Sequence, residues 1–244
     1  IISPALIIAV LIALTHSLLG QRVLEKGIIF IDLAIAQIAA LGLVVAAFVL
    51  PDFLWIHQII AISFALIASM YFYYVEKNYP DILEAVIGCS FIFAAAIIIL
   101  LLSDHPHGGD EVKNLLSGQI IFVTFSDVLI HLPIYLVMML IWFLKPKLVS
   151  GFGFYVVFSF VITSSVQLAG IYVVFASLIL PAILARNFDN KLLSLWSTGV
   201  SSVLLGLIVS VFFDLPAGIT IVLSYFFMVL TFLSFSFVFR KLKS

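Results

Sequence analysis

The sequence has 244 residues, of which 65% are hydrophobic and only 9% are charged. A soluble domain carries roughly 25% charged residues, so this composition excludes a water-soluble domain. Residues 83–103 do not alternate between polar and apolar positions, which excludes a transmembrane barrel built from strands of about 10 residues. The sequence therefore predicts an all-α, polytopic helical membrane protein, with residues 1–244 forming one transmembrane domain.

Apolar runs that suit a hydrocarbon layer of about 30 Å follow one another along the chain. The first residues contain neither a basic segment with a cleavage site nor an initiating Met, so we expect no signal peptide here and a natural chain that begins further upstream. The segment 171–185 is the shortest run and is either a span or a half-helix that turns back, which makes eight spans the alternative to nine. The predicted spans are 2–20, 28–50, 58–75, 82–102, 126–144, 152–169, 171–185, 192–213 and 217–239.

The basic residues predict an orientation. Threading nine spans alternately from an external N-terminus leaves Lys113 as the one basic residue outside the cytoplasm. This asymmetry follows the positive-inside rule and predicts a cytoplasmic C-terminus, whereas eight spans would move the C-terminus to the other side. The residues predicted to face the cytoplasm are Arg22, Lys26, Lys77, Lys145, Lys147, Arg186, Lys191, Arg240, Lys241 and Lys243.

Polar side chains inside the spans need a reason, because a charged one costs at least about 2.5 kcal/mol in lipid. Asp32 lies about one and a half turns into the second span, and His16 lies at a similar depth in the first, antiparallel span. The two can meet as an ion ligand or gate on a translocation path, or as an interhelical clamp. Gln37, near the midplane, either lines the path or is hydrogen-bonding glue. We interpret His131 and Gln167 as structural.

The connector between the fourth and fifth spans concentrates polar residues in "DHPHGGDE", residues 104–111. Imidazole and carboxylate groups are ligands for zinc and neighbouring divalent ions. The glycine pair lets the backbone fold the acids back toward His105 and His107. This segment is either a solvated surface loop or a transient capture site for a metal ion or its carrier.

Several functions are excluded by missing motifs. No lysine directly follows a glycine, so the phosphate loop of an ATPase is absent, and any ATP must be hydrolysed by a partner. Ser164 and Ser165 have no base at a recognisable spacing, which argues against an intramembrane enzyme. The alternative of an ion-coupled secondary transporter is disfavoured because Asp32 is the only acid well inside a span.

Four segments, occurring in one order, resemble a known family. They are "LAIAQIAALG" (33–42), "LLSGQIIFVTFSDVL" (115–129), "LAGIYVVFASLILPAILAR" (168–186) and "DLPAGITIVLSY" (214–225). Together they are similar to the membrane permease subunit of ABC-type importers for zinc, manganese and related divalent metals. The third segment is the most specific, close to the family pattern G-V-x-L-V-x-A-L-L-I-x-P-A.

This resemblance implies a permease that is not itself an enzyme, in a bacterial inner membrane. It implies a homodimer, two cytoplasmic ATP-binding subunits and an extracytoplasmic metal-binding receptor, with no stably bound cofactor and no nucleic-acid partner. The cytoplasmic connector of the family meets the ATPase, so the resemblance places coupling at Arg186, Asn187 and Asp189.

The second span departs from the family. Many relatives carry G-D-x-L-x-H there, with an aspartate and a histidine on one helix face that hold a metal ion. If Gly42 sets the register, Gln37 takes the histidine position, Leu33 takes the aspartate position and Asp32 is one residue away. We therefore expect His16 and Asp32 to substitute for that pair, and we expect zinc as the cargo, with manganese or iron as alternatives.

Overall fold

Long apolar helices joined by short turns make up nearly all of the described chain. The computed structural model describes residues 2–103 and 105–243, with side chains for 3–53, 55–103 and 105–234. The α-helices within these residues are α1 (Ile2–Lys26), α2 (Ile31–Val49), α3 (Leu54–Asn78), α4 (Leu83–Leu102), α5 (Gly108–Ser117), α6 (Phe125–Leu144), α7 (Gly151–Ala169), α8 (Ile171–Ala185), α9 (Lys191–Phe213) and α10 (Ala217–Lys243).

Eight of these helices are long and apolar enough to cross a membrane, which confirms the predicted polytopic fold. The exceptions among the described helices are α5 and α8. α8 has 15 residues, so at 1.5 Å per residue it is about 22 Å long, shorter than the hydrocarbon layer. Eleven of its residues are buried. Neighbouring helices therefore shield α8, which is the setting in which a short helix is tolerated at membrane depth.

Four of the basic residues predicted to face the cytoplasm lie at one end of the bundle, here called the basic end. They are Arg22, Lys26, Arg186 and Lys191. Lys26, at the end of α1, forms an ion pair with Glu76, near the end of α3. The Arg22 guanidinium lies 5.6 Å from the centre of the Trp142 ring, near the end of α6. Arg186 lines a cavity together with residues from the last two turns of α1. The ends of α1, α3, α6 and α8 therefore meet there, as the nine-span threading predicts.

The opposite end of the bundle is closed by backbone contacts between turns. A Cβ atom built on Gly118, just after α5, would lie 2.1 Å from the carbonyl of Ala169, at the end of α7. A Cβ atom built on Gly218 would lie 1.7 Å from the carbonyl oxygen of Ser117. Since α8 starts here, directly after Gly170, and ends at the basic end, it connects the two ends. The described part of the chain thus has eight helices that are long enough to span a membrane, together with the shorter helix α8, which runs between the same two ends.

The centre of the bundle is formed by α1, α2, α7 and α8. Two-thirds of the apolar window of α1, α2 and α7 is buried (67%), against 22% for α4 and α6, which present apolar side chains outward. Helix α2 approaches α3 closely at Gly42, where an added Cβ atom would lie 2.9 Å from the Cα atom of Ala61 in α3. Small residues on α2 therefore permit close helix contact.

Helix α5 lies where the sequence predicted a flexible loop. Gly108 and Gly109 form its first turn, so Asp110 and Glu111 are brought near the histidines by a helical turn and not by a folded-back glycine loop. With ten residues and four charged or amide side chains, α5 is too short and too polar to be found by a search for membrane spans. It is held in place by its contacts with α4, α7 and α8.

Candidate functional site

A buried hydrogen-bond network surrounds His16 in α1. Its Nδ1 atom lies 2.7 Å from the Ser177 hydroxyl of α8, and its Nε2 atom lies 2.8 Å from the Ser165 hydroxyl of α7. All three side chains are fully buried. A neutral imidazole has one donor and one acceptor nitrogen, so the two serines satisfy both.

The network continues into α6. The Tyr135 hydroxyl lies 2.9 Å from the Ser165 hydroxyl and 3.2 Å from that of Ser164. The Ser164 hydroxyl also lies 2.7 Å from Nδ1 of His131, which is 6% exposed. The structural interpretation of His131 is thus supported, since it links α6 to α7.

The serines that had no base by sequence spacing do have histidine partners in space. Ser165 is 149 positions from His16 and Ser164 is 33 positions from His131, so spacing along the chain could not reveal either pair. Only a general rule pointed to these contacts from the sequence: buried hydroxyl and imidazole groups on apolar helices need hydrogen-bond partners.

Asp32 does not pair with His16. Both nitrogen atoms of His16 already contact serines, whereas neither carboxyl oxygen of Asp32 has a hydrogen-bond partner among the described residues. Asp32 is fully buried in the first turn of α2, where burial disfavours the charged form of the carboxyl group and the helix dipole favours it. The Glu84 carboxylate accepts a hydrogen bond of 2.8 Å from the Ile29 amide, just before α2. The predicted clamp is therefore wrong.

Gln37 is also buried in α2, with 6% of its surface exposed and no partner for Oε1 among the described residues. It lies five residues beyond Asp32, about 140° around the helix, so the two do not share a face. Helix α2 therefore carries two buried polar side chains on different faces. Among the residues that the structure describes, neither has the hydrogen-bond partner that a structural link between helices would require.

The predicted histidine pair of the connector is split. His105 lines a cavity of about 470 Å³ at the opposite end, between α2, α3, α4, α5 and α7. His107, directly before α5, is 83% exposed and lies 4.0 Å from the Asp110 carboxylate. Its ring is not among those that line the cavity. Within the described residues, no three His, Cys, Asp or Glu side chains are close enough to hold one metal ion.

Residues predicted to contact an ATPase lie at the basic end. Arg186, Asn187 and Asp189 are exposed in the turn between α8 and α9. Arg186 and Lys191 line a cavity of about 220 Å³ beside the last turns of α1. A partner that binds this turn would therefore also contact α1.

A family model decides which class of membrane protein this is. The model described as the ABC 3 transport family matches residues 1–152 and 146–237, nearly the whole chain. The chain belongs to the ABC 3 transport family. As a member of this family it is a permease, a transport subunit and not an enzyme.

Individual relatives agree with the ABC 3 transport family assignment. The chain is 26% identical to the manganese transport system membrane protein MntC of Halalkalibacterium halodurans, covering 91% of this chain and 82% of that protein. It is 26% identical to the manganese import system permease protein ScaB of Streptococcus gordonii, covering 90% and 86%. It is 27% identical to MntC of Listeria monocytogenes, covering 91% and 86%.

A solved structure shares the fold of this ABC 3 family member. It is PsaBC from Streptococcus pneumoniae in complex with Fab, with a TM-score of 0.76 and 24% identity over 94% of this chain and 90% of that chain. This likeness confirms the predicted permease fold.

Proposed function

We propose that this chain is the membrane-spanning subunit of an ATP-driven importer of divalent metal ions, with manganese as its foremost cargo. The observation that carries the proposal is the family match over nearly the whole chain, joined to three relatives named for manganese. Zinc, which the histidines of the connector favoured, and iron are the competing cargoes.

The chemistry of α2 supports manganese over zinc. The buried polar groups that lack partners on this helix are the carboxylate of Asp32 and the amide oxygen of Gln37. Carboxylate and carbonyl oxygens suit manganese, whereas zinc is most often bound by imidazole or thiolate. The imidazole of His16, which the sequence offered as a ligand, is already engaged by two serines.

The proposed assembly follows from the two ends of the bundle. Two chains form a homodimer, and one ATP-binding subunit contacts each basic end through Arg186, Asn187 and Asp189, which are exposed. The positive-inside rule supports a cytoplasmic placement of this end and predicts a cytoplasmic C-terminus. An extracytoplasmic metal-binding receptor delivers the ion at the opposite end. ATP binding closes the dimer from below and opens the mouth, and the ion then passes α2 and α8.

Reconstitution with the ATPase partner tests the proposal. The complex is placed in proteoliposomes, and uptake of labelled manganese, zinc and iron is measured together with ATP hydrolysis. We expect ATP-dependent uptake of at least one ion, with manganese competing best. The matched control is the same complex with a hydrolysis-deficient ATPase, which should not import. If none of the three ions enters, the proposal is wrong.

A further inference from the structure

The cavity at the opposite end combines an apolar wall with a polar one. Four residues of α2, between Leu43 and Phe48, form the apolar wall. The same cavity is also lined by groups that accept hydrogen bonds or bind cations. They are His57 of α3, His105 of the connector, Glu111 and Asn114 of α5, Gln119 of the turn after α5, and Gln167 of α7.

The bonding of His57 leaves a free lone pair. Its Nε2 atom lies 2.8 Å from the carbonyl oxygen of Leu50. A carbonyl oxygen only accepts, so Nε2 donates and Nδ1 is the acceptor nitrogen of the neutral ring. Metal-binding histidines typically have one N–H donated to a carbonyl or carboxylate in this way.

Two further side chains are held toward the cavity. The His105 ring packs edge-on against Phe48, with ring centres 5.3 Å apart. Gln167 also lines the cavity, and its amide oxygen is the atom that can accept a hydrogen bond from a coordinated water, since its Nε2 group only donates. In α5, Glu111, Asn114 and Leu115 are spaced three and four residues apart, so they share the helix face that lines the cavity.

The size of the cavity suits an ion that keeps its water. Its polar groups do not converge, since no three acidic or histidine side chains of the described residues can hold one ion together. A water molecule occupies roughly 30 Å³, so a divalent ion with six waters needs about 200 Å³. The cavity, at about 470 Å³, has room for it. Acceptor groups of the cavity then accept hydrogen bonds from the coordinated waters. Such contacts bind the ion weakly enough that it can be released inward.

We propose that this cavity is an outer holding site for a hydrated divalent cation, in which His57, His105 and Glu111 receive the ion before it loses water. The inference rests on the proposed metal import and adds where the ion first stops. His107 is on the exposed side of the same connector and has no part in this site. If the exposed connector captures the ion, the His107 variant loses uptake. If the cavity captures it, the variant of His57, His105 and Glu111 loses uptake.

Uptake by variants of the reconstituted complex separates these possibilities. The triple variant His57→Ala, His105→Ala, Glu111→Gln should lower manganese uptake about tenfold at scarce metal, with much less effect at saturating metal. His107→Ala should import like the unchanged complex. Equal uptake by the triple variant, or an equal loss in His107→Ala, overturns the holding site. If the unchanged complex imports no metal, the proposed function itself fails.

A labelling experiment tests the holding site independently, even if the triple variant does not fold. Cys89 is the single cysteine and is exposed, so it is first changed to alanine. Asn114→Cys then places one thiol on the cavity wall, and Lys113→Cys, on an exposed position of the same helix, serves as the control. Manganese should slow the reaction of a charged thiol reagent at position 114 and not at position 113. Equal rates at position 114 with and without manganese overturn the inference.

Discussion

The Asp32 carboxyl group is fully buried, and both of its oxygens lack hydrogen-bond partners among the described residues. Burying a charged carboxylate without a partner lowers stability. The membrane-insertion scale that gives the smallest penalty puts this cost at about 2.5 kcal/mol. A group kept at such a cost points to a role in transport, and an interhelical clamp would instead show a bonded partner.

Asp32→Asn keeps the shape of the side chain and removes its capacity to become an anion. We expect the purified variant to unfold at the same or a higher temperature, because the carboxyl group has no hydrogen bond to lose among the described residues, and to lose most manganese uptake. Thermal unfolding and uptake are both measured, with Asp81→Asn, an exposed change near the same end, as the control. A lower unfolding temperature with unchanged uptake per folded molecule would restore the clamp interpretation.

His16 is the opposite case, a buried polar side chain with a partner for each nitrogen. Removing it leaves the hydroxyl groups of Ser165 and Ser177 with less hydrogen bonding and opens a cavity between α1, α7 and α8. His131 has one such partner, Ser164, and is slightly exposed.

His16→Ala should therefore lower the free energy of unfolding by about 3 kcal/mol, and His131→Ala by clearly less. Equilibrium unfolding in mixed micelles gives both values. If His16→Ala does not fold, Ser177→Ala should still cost about 1 kcal/mol, because it removes one of the two bonds. A larger loss from His131→Ala than from His16→Ala contradicts this description of the network.

At the scale of helices, the junction between α5 and the α7–α8 turn depends on two glycines. Gly118 and Gly170 have φ angles of +68° and +81°, in the region that favours glycine. A Cβ atom built on Gly170 would lie 2.3 Å from the Gly118 nitrogen. The two backbones touch, so neither position accepts a side chain without moving α5.

Gly170→Ala should accordingly destabilise the protein by at least about 2 kcal/mol and shift α5 away from the cavity wall. Gly109→Ala is the matched control, since Gly109 is helical and an added Cβ atom meets nothing within 4 Å. It should be neutral or stabilising by up to about 1 kcal/mol. Unfolding and protease sensitivity of the connector are measured. Equal stability of the two variants would show that the contact is not tight.

The long helices were predictable and α5 was not, for a physical reason. Apolar runs identify spans because each must match the hydrocarbon layer, and even α8 was found at residues 171–185. α5 is amphipathic and stays in place through contacts with distant helices, which a run of local residues does not reveal. The candidate site shows the same division. Asp32 and Gln37 stood out as polar residues in α2, but the serine partners of His16 lie on α7 and α8.

At the scale of the whole molecule, the basic end carries the residues predicted to contact an ATPase. The basic end presents Arg186 and Lys191 beside an open cavity. Arg186 and Asp189 are exposed and are not required by the core, so they are free to contact an ATPase.

Charge reversal at this turn tests the predicted docking. Arg186→Glu with Asp189→Lys should weaken co-purification with the ATPase and reduce metal-stimulated ATP hydrolysis, while the permease alone unfolds as before. Lys147→Glu, an exposed change in the turn between α6 and α7, is the control and should have a smaller effect. Unchanged hydrolysis in the double variant would move the contact to another part of the basic end.

The source of energy is the most direct test of the account. The permease is reconstituted with and without its ATPase, and labelled manganese uptake is followed with ATP, with a non-hydrolysable analogue, and with a proton or sodium gradient. The account predicts uptake only when ATPase and hydrolysable ATP are both present. Uptake by the permease alone, driven by an ion gradient, would contradict it.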